Sequence, residues 1–505
     1  MTDTEIAELL DSTAPLVVIE APAGCGKTYQ GANHARRMAL SSLRGRILIL
    51  THTHAACSVF AKETRATGSR VEIRTIDSLI VQIAMAYHRP LGLPADPSVL
   101  ARRAGGFESL AVHVSKFLRC NDIVSIALSD RYPIIIADEH QDTSLEQHEI
   151  VMCLHRAGSK LRIFGDPMQN LYSSSKAKVA ADLARWDALK TKGQAAELQT
   201  PHRWENGSAD LGTWVLEARQ ALKEGRKVDL TQRPDTLNVL FAENIAARSV
   251  GFQLGKDDRK PIDVLMDSAT SMLVLSGHNE TVQALRAFWR RRYPLWEGHT
   301  REPLGTLITT LSTASGNPVA VSEAVIVFME ATSVGFTRST HGNRLTQEVV
   351  SACAKPAKGK PAMLQELARC ILTEPTHVGV AKCLVRLNEL VDQRVPGFDS
   401  ISFDLRNELR DAMRLGEFKD PEEGFSEIRR KRSFAHPAPP AKSISTIHKA
   451  KGLECSHSMI VPCDRKNFSD TAYARCKLYV AISRAKQTTT IVVSRNNLSP
   501  LIDLG

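Results

Sequence analysis

The sequence lacks the features that mark membrane, secreted or zinc-ribbon proteins. No apolar run is long enough to cross a membrane. The first residues, MTDTEIAELLDS, are too acidic and polar for a secretory signal. The ten cysteines form no C-x-x-C pair, which argues against a zinc ribbon and against a disulfide framework. We therefore expect a protein of the reducing cytoplasm with no membrane partner.

Length and charge point to several domains and to a polyanionic partner. A chain of 505 residues exceeds the size at which a single core stops growing. The net charge is +10, which favours nucleic acid through long-range attraction and counterion release. Basic runs occur at 290–292 and 429–432. The run at 429–432 precedes a proline-rich stretch at 436–443 that has the composition of a linker. The basic run fits a solvated connector about as well as it fits a phosphate contact.

A strand, a loop of small residues and a helix follow one another in LVVIEAPAGCGKTYQGANHARRM, residues 16–38. Glycines in such a loop let backbone N–H groups point at phosphate oxygens, and the helix N-terminus favours negative charge. We predict that Lys27 binds the β- and γ-phosphates and that the Thr28 hydroxyl ligates Mg²⁺. A chance Gly-Lys-Thr turn is disfavoured because strand, loop and helix occur in order. The predicted phosphate loop comprises Ala21, Pro22, Ala23, Gly24, Cys25, Gly26, Lys27 and Thr28.

A second apolar strand ends in adjacent carboxylates in IIIADEHQDTSLEQ, residues 134–147. Acids at the C-terminal end of a buried parallel strand lie where open α/β sheets bind ligands. With a phosphate loop upstream, Asp138 is predicted to hold Mg²⁺. Glu139 is predicted to be the general base that activates water. The alternative, charged residues where a strand meets solvent, is weaker in this context. The sequence therefore predicts a nucleoside triphosphatase.

Further boxes resemble those of the UvrD/Rep/PcrA group of superfamily 1A DNA helicases. Any one of these short motifs is weak evidence by itself, but all of them occur in the family's order, which makes coincidence negligible. In that order they are ILILTHTHAA (47–56), RTIDSL (74–79), DEHQDT (138–143), IFGDPMQNLY (163–172), LQTPHRWE (198–205), STIHKAKGLE (445–454) and LYVAISRAK (478–486).

The resemblance implies an α/β fold with two RecA-like P-loop domains of parallel sheets. Each carries an inserted, mostly helical accessory domain. Residues 284–296, ALRAFWRRRYPLW, suit either a nucleic-acid surface or the buried face of a helix, and the helix is slightly favoured. The implied ranges are 1–80 with 130–195 for the first core, 81–129 for its insert, 196–290 with 440–505 for the second core, and 291–439 for its insert.

Residue roles also follow from the resemblance. Gln169 would sense the γ-phosphate, while Arg203 and Arg484 would stabilise charge on the transferring phosphoryl group beside Glu139. A plain interdomain salt bridge is the alternative for both arginines. The nucleotide, expected to be ATP with Mg²⁺, would also contact His202, Gly452 and Glu454. Residues implied to contact DNA are Thr51, His52, Thr53, Tyr172, Thr446 and His448.

Several positions depart from the family pattern. The N-terminal segment has no glutamine to read the adenine edge, and His202 stands where a tyrosine usually stacks. Aromatic DNA platforms are replaced by His52, by Ile76 with Asp77, and by serines at 173–175. Candidate substitutes are Trp186 and Trp204, although a core position fits each better.

We expect an ATP-dependent DNA helicase or translocase that moves 3′ to 5′ on single-stranded or tailed duplex DNA. Its setting would be DNA repair, recombination or anti-phage defence. The alternative is a DNA-sensing regulatory ATPase subunit that controls a partner nuclease without processive unwinding. The compact chain and the thinned track favour that alternative, and the helicase-like subunit of the Gabija anti-phage system is similar in size and box style. A structural DNA-binding protein with a dead ATPase is disfavoured by the presence of the hydrolytic residues.

Overall fold

A computed structural model describes most of the chain in two compact units. The larger unit comprises the described residues of 1–296 and 439–505, and the smaller one comprises 302–434. Among the described helices, none is both long and apolar enough to cross a membrane. The described residues are 1–41, 44–101, 105–172, 175–246, 251–296, 302–434 and 439–505.

The first sheet of the larger unit is entirely parallel, with strand order β3-β2-β4-β5-β1-β6. Runs such as ILILT and IIIA are buried at every position, as expected for strands covered on both faces. Its strands are β1 (Leu16–Glu20), β2 (Ile47–Thr51), β3 (Val71–Thr75), β4 (Ile134–Ala137), β5 (Lys160–Gly165) and β6 (Gln194–Glu197).

Helices connect these strands, and four of the described helices lie between β3 and β4. Polar caps define several of their starts. Ser144 and Gln147 form a capping box at the start of α8. The helices are α1 (Asp3–Asp11), α2 (Lys27–Ala39), α3 (His54–Glu63), α4 (Ile76–Ala86), α5 (Ser98–Ala101), α6 (Gly106–Cys120), α7 (Asp122–Arg131), α8 (Leu145–Arg156) and α9 (Lys176–Lys192).

The second core begins after β6. Its first elements are α10 (Ala209–Lys223), β7 (Val228–Asp229), β8 (Leu237–Phe241), α11 (Lys256–Ser268), β9 (Met272–Ser276) and α12 (Asn279–Phe288). Helix α12 carries the start of ALRAFWRRRYPLW. Leu285, Trp289, Tyr293 and Trp296 from this stretch are buried. Helix α12 covers only 284–288 of this stretch, so the helical interpretation is confirmed for its start, and Trp289, Tyr293 and Trp296 are buried beyond the end of the helix.

The smaller unit is mostly helical and has its own core, which includes Leu307, Val325 and Leu384. Side chains of the basic run at 429–432, and residues 436–438 of the proline-rich stretch, lie outside what the structure describes. The elements are α13 (Glu302–Ala314), α14 (Pro318–Thr332), β10 (Ser333–Val334), α15 (Asn343–Val350), α16 (Lys360–Thr373), α17 (His377–Asp392), β11 (Ser402–Phe403), α18 (Arg406–Arg414) and α19 (Pro421–Phe434).

The chain then returns to the larger unit and completes a second parallel sheet of order β12-β9-β13-β14-β8. Two parallel sheets with helical insertions confirm the predicted α/β fold class of RecA-like P-loop domains. The numbered domain boundaries stay a prediction. The last elements are β12 (Lys442–Thr446), β13 (Cys455–Cys463), α20 (Ala472–Ile482), β14 (Ala485–Val493) and β15 (Ile502–Asp503).

Candidate active site

The predicted phosphate loop joins the end of β1 to the start of α2. Gly24 and Gly26 have φ of 78° and 81°, a left-handed conformation that glycine adopts without strain. A Cβ on Gly24 would lie 2.7 Å from the Arg203 Cβ, so the loop and the second core approach closely. The Ala23 N–H donates to the Tyr479 hydroxyl at 2.7 Å. The loop therefore lies in a cleft between the two cores.

Three charged side chains converge beside the loop. The Lys27 ammonium lies 3.3 Å from Asp138 Oδ1 and also pairs with Glu139. Burial opposes the charge of Lys27, but the two carboxylates outweigh it and raise its pKa above the ordinary value. Burial also raises the pKa of Asp138 to about 6, against the pull of Lys27. The structure thus brings together the predicted phosphate-binding lysine, magnesium ligand and general base.

Glu139 is held in an unusual backbone conformation. Its φ of 52° is in the left-handed region, which costs a residue with a Cβ about 1–2 kcal/mol. The Gln141 side chain donates to Glu139 Oε2 at 2.6 Å. Although burial opposes ionisation, the Lys27 charge outweighs it and lowers the pKa of Glu139. Glu139 is therefore ionised at neutral pH, as a general base must be.

The loop after β5 brings Gln169 close to the same network. The Gln169 side chain donates to Asp166 Oδ2 at 2.9 Å. The Asp166 N–H in turn donates to the side-chain oxygen of Gln141, Oε1, at 3.0 Å. Hydrogen bonds therefore connect the predicted γ-phosphate sensor, Gln169, with the predicted base, Glu139.

Arg203 lies at the edge of the cleft, with its backbone N–H donating to the Gly24 carbonyl at 3.0 Å. Its guanidinium donates to Glu454 at 2.9 and 3.1 Å and to the Ser483 carbonyl at 2.6 Å. Burial opposes ionisation of Glu454, but the Arg203 charge outweighs it and lowers the pKa. Gly452, two residues before Glu454, has φ of 82°.

Arg484 is 1% exposed and bonds within the second core. It donates to the carbonyls of Val480 and Leu453 at 2.8 and 3.3 Å. Burial lowers its pKa to about 10, which still leaves it charged at neutral pH. Arg203 therefore pairs with Glu454, and Arg484 bonds to backbone carbonyls. The finger role of both arginines, and the interdomain salt bridge that was its alternative, stay predictions.

His202 lies over the phosphate loop. Its Cδ2 is 3.0 Å from where a Gly26 Cβ would be. The two ring nitrogens face carboxylates, with Nε2 2.6 Å from Asp3 Oδ2 and Nδ1 bonded to Glu205. Burial opposes protonation, but the two acids outweigh it and raise the pKa of His202. His202 thus places an imidazole ring, whose protonation the two carboxylates favour, above the predicted phosphate loop.

The residues predicted to contact DNA from the first core are mostly engaged locally. Thr51 is 1% exposed, and its hydroxyl donates to the Thr53 carbonyl at 3.1 Å. Thr53 caps α3 by accepting from the Ala56 N–H. Burial lowers the pKa of His52 to about 4, so it is neutral at pH 7. Residues 173 and 174, where platforms are predicted to be missing, lie outside the described residues.

Tyr172 and His448 are both exposed residues of the predicted track. Tyr172 is 61% exposed, and its ring centre lies 6.3 Å from that of His448. The Lys451 ammonium is 5.2 Å from the Tyr172 ring centre and donates to Asp142 at 2.6 and 2.8 Å. Thr446 is 8% exposed. The proposed substitutes Trp186 and Trp204 are 5% and 0% exposed, so their assignment to the core is confirmed.

Sequence reasoning missed three residues that join the cores, namely Arg219, Lys451 and Tyr479. Arg219 is buried in α10 against Asp166, and the other two contact Asp142 and Ala23. A signal for Arg219 was present, because a lone arginine lies on the apolar stripe of WVLEARQAL. Lys451 and Tyr479 lie inside recognised boxes, but pattern alone names no partner for either.

Comparison with known proteins adds an independent observation. The family described as the UvrD/REP helicase N-terminal domain matches residues 97–181. A RecBCD enzyme subunit RecB from Borreliella burgdorferi is 48% identical over 54 residues, 11% of this chain and 5% of that protein. A RecBCD enzyme subunit RecB from Mycolicibacterium smegmatis is 28% identical over 129 residues, 25% of this chain and 12% of that protein.

These matches support a UvrD-like superfamily 1 helicase. The UvrD-like match at 97–181 includes the loops that carry Asp138, Glu139 and Gln169. The aligned segments span only 5% and 12% of the two RecB proteins, so the activity of the whole chain is a matter for proposal.

Proposed function

We propose that the protein is an ATP-dependent DNA helicase or translocase that moves 3′ to 5′ on single-stranded DNA. The observation that carries this proposal is the convergence of Lys27, Asp138 and Glu139 at the phosphate loop, with Gln169 bonded into the same network. The resemblance to UvrD-like helicases supports DNA as the track and supports the polarity. A setting in DNA repair, recombination or anti-phage defence fits the same resemblance.

The residues of the cleft suit ATP with Mg²⁺. Asp138 Oδ1 is buried and has no hydrogen-bond partner among the described residues apart from the Lys27 ammonium, 3.3 Å away. Together with the Thr28 hydroxyl, this oxygen would hold the cation, since Mg²⁺ prefers oxygen ligands. When bound, Mg²⁺ would supply positive charge that offsets the negative charge of the phosphate groups.

The remaining steps use the chain's own groups. Backbone N–H groups of the phosphate loop would bind the phosphates, and Lys27 would leave the carboxylates for the phosphate oxygens. That exchange would free Glu139, whose carboxylate accepts a hydrogen bond from the Gln141 side chain, to take a proton from the attacking water as the bond from the γ-phosphorus to the leaving ADP oxygen breaks. Arg203 would turn from Glu454 toward the transferring group when the cleft closes.

A second candidate is a DNA-sensing ATPase subunit that regulates a partner nuclease. Two observations favour it. The predicted track keeps one exposed aromatic, Tyr172, among the residues assigned to it. Both matched relatives are named as subunits of a RecBCD enzyme. The similarity in size and box style to the Gabija helicase-like subunit agrees with this candidate.

The test compares ATP hydrolysis with and without single-stranded DNA, followed by strand displacement on a 3′-tailed duplex. Helicase action predicts DNA-stimulated hydrolysis and displacement by the purified chain. Stimulated hydrolysis without displacement supports the regulatory subunit. Hydrolysis that no DNA stimulates contradicts both candidates.

A further inference from the structure

Three neighbouring strands of the first sheet end at acids that meet one arginine of the second core. Glu20 ends β1, Glu197 ends β6, and Asp166 directly follows β5; the sheet order is β5-β1-β6. All three carboxylates contact Arg219 of α10. Arg219 is 2% exposed, Glu20 2% and Asp166 0%. A single guanidinium therefore ties the ligand-binding edge of the first sheet to the second core.

The contacts use the planar fork of the guanidinium. Nη2 lies 2.9 Å from Asp166 Oδ1 and 2.5 Å from Glu20 Oε1, and Nη1 lies 2.5 Å from Glu197 Oε1. Nε donates to Asp166 at 3.2 Å. Lysine has a single nitrogen and cannot copy this geometry. Lys223 and Lys190 also pair with Glu20, so three cations balance three carboxylates.

Asp166 links this cluster to the predicted hydrolytic residues. Its carboxylate accepts from the Gln169 side chain at 2.9 Å, while its own N–H donates to Gln141 at 3.0 Å. Gln141 donates to Glu139. The orientation of both Gln169 and Glu139 therefore depends on where Asp166 is held, and Arg219 holds it from the opposite core.

We propose that Arg219 is a positioning residue that makes the site respond to the γ-phosphate. This inference rests on the proposed ATPase function. Arg219 fixes the Asp166 loop against α10, so that Gln169 and Glu139 face the phosphoryl group while the two cores are docked. A cluster that only stabilised the fold would affect all nucleotides alike.

The experiment measures binding of ADP and of a non-hydrolysable ATP analogue, each with Mg²⁺, to the wild type and to Arg219→Lys. For Arg219→Lys we expect ADP affinity within about twofold of wild type and analogue affinity about tenfold weaker. Hydrolysis should fall by at least about tenfold, because small misplacements of reacting groups are costly. Thermal unfolding of each variant reports on the fold.

Two matched controls separate positioning from stability. Arg162→Lys changes another arginine that is 1% exposed, but one that donates to the carbonyls of Leu10, Ser12 and Ala14, away from the cleft. Lys223→Gln removes an ion pair with Glu20 without touching Asp166. Both should keep the wild-type ratio of analogue to ADP affinity.

The positioning role is overturned if Arg219→Lys leaves the ratio of analogue to ADP affinity unchanged. It is also overturned if Arg162→Lys changes that ratio as much as Arg219→Lys does. If the wild type binds neither nucleotide, the proposed ATPase function itself fails. If Arg219→Lys does not fold, Glu197→Gln provides a second test. It removes the charge of one carboxylate that pairs with the Arg219 guanidinium, and the Glu197 side chain is 35% exposed. That variant should lower the affinity ratio about threefold, and an unchanged ratio there also overturns the proposal.

Discussion

The proposed nucleotide cleft and the predicted DNA track differ in how their side chains are held. In the cleft, Lys27, Glu139 and Gln169 are each fixed by a charged or polar partner. On the track, Tyr172 is 61% exposed, and Thr51 and Thr53 are engaged with their own loop. Chemistry requires preorganised groups, whereas gripping a mobile strand requires accessible ones. The contrast supports the proposed hydrolytic role of the cleft, and it predicts that the track binds DNA weakly.

Removing the predicted base should have the largest effect. For Glu139→Gln we expect ATP hydrolysis to fall by about 10²–10⁴, since proton transfer in the transition state is lost. Nucleotide binding should remain, because the phosphate loop is unchanged. Steady-state hydrolysis and equilibrium nucleotide binding provide the measurements.

The matched control is Glu146→Gln, which alters a carboxylate that contacts Ser144 rather than Lys27. It should hydrolyse ATP at the wild-type rate. Wild-type activity in Glu139→Gln would mean that another group activates the water and that Glu139 is not the general base.

Glu20→Gln tests whether the carboxylates that surround Arg219 stabilise the fold through their charge. Burial alone would raise the pKa of Glu20, but the Arg219 charge outweighs it and lowers the pKa from 4.5 to about 2. The stability that ionised Glu20 supplies is therefore complete above about pH 4.5 and is lost as pH falls toward 2. At pH 7 the variant should unfold with a free energy on the order of 3 kcal/mol lower than wild type.

Urea unfolding of both proteins between pH 7 and 2.5 measures this difference. The gap should narrow as the medium becomes acidic, because wild-type Glu20 also loses its charge. If the difference in unfolding free energy between the two proteins stays constant from pH 7 to 2.5, the shape of the side chain, not its charge, accounts for the lower stability of the variant. Glu224→Gln, at an exposed surface carboxylate, should leave stability nearly unchanged.

Tyr172→Ala tests the one exposed aromatic of the predicted track. If Tyr172 stacks on a base, the variant should lose about 2 kcal/mol of binding free energy for single-stranded DNA, or roughly thirtyfold in Kd. Fluorescence anisotropy with a labelled oligonucleotide measures the loss. Tyr172→Phe keeps the ring and should bind like wild type, whereas equal affinity in all three proteins would place the track elsewhere.

Loss of the Asp142–Lys451 ion pair should have the smallest effect of these changes. The pair nevertheless connects the proposed nucleotide cleft with the predicted DNA track. Lys451→Met is expected to reduce DNA stimulation of hydrolysis by about fivefold while basal hydrolysis changes less, since the pair is worth about 1 kcal/mol. The ratio of DNA-stimulated to basal hydrolysis is the readout. Lys449→Met removes a lysine of the same loop outside the Asp142 contact and should keep the wild-type ratio. A ratio that does not change in Lys451→Met removes this pair from the coupling.

The sequence alone determined the fold class and the local chemistry of the cleft. Apolar runs such as IIIA and ILILT require a sheet covered on both faces, and the small-residue loop before Lys27 requires glycine conformations. The helix at the start of 284–296, which ends at Phe288, and the core positions of Trp186 and Trp204 also followed from residue spacing and type. These features depend on a few consecutive residues, so a linear pattern records them.

Only the tertiary structure decided which distant residues meet. Arg219 lies 53 positions from Asp166 and 199 from Glu20, and Lys451 lies 309 positions from Asp142. Nothing in the local periodicity of α10 specifies that three strand ends will converge on its one buried arginine. Such contacts arise because parallel strands of different sequence position end at a common edge, against which the second core packs. The pairing of charges across that edge is a property of packing, and a one-dimensional pattern does not contain it.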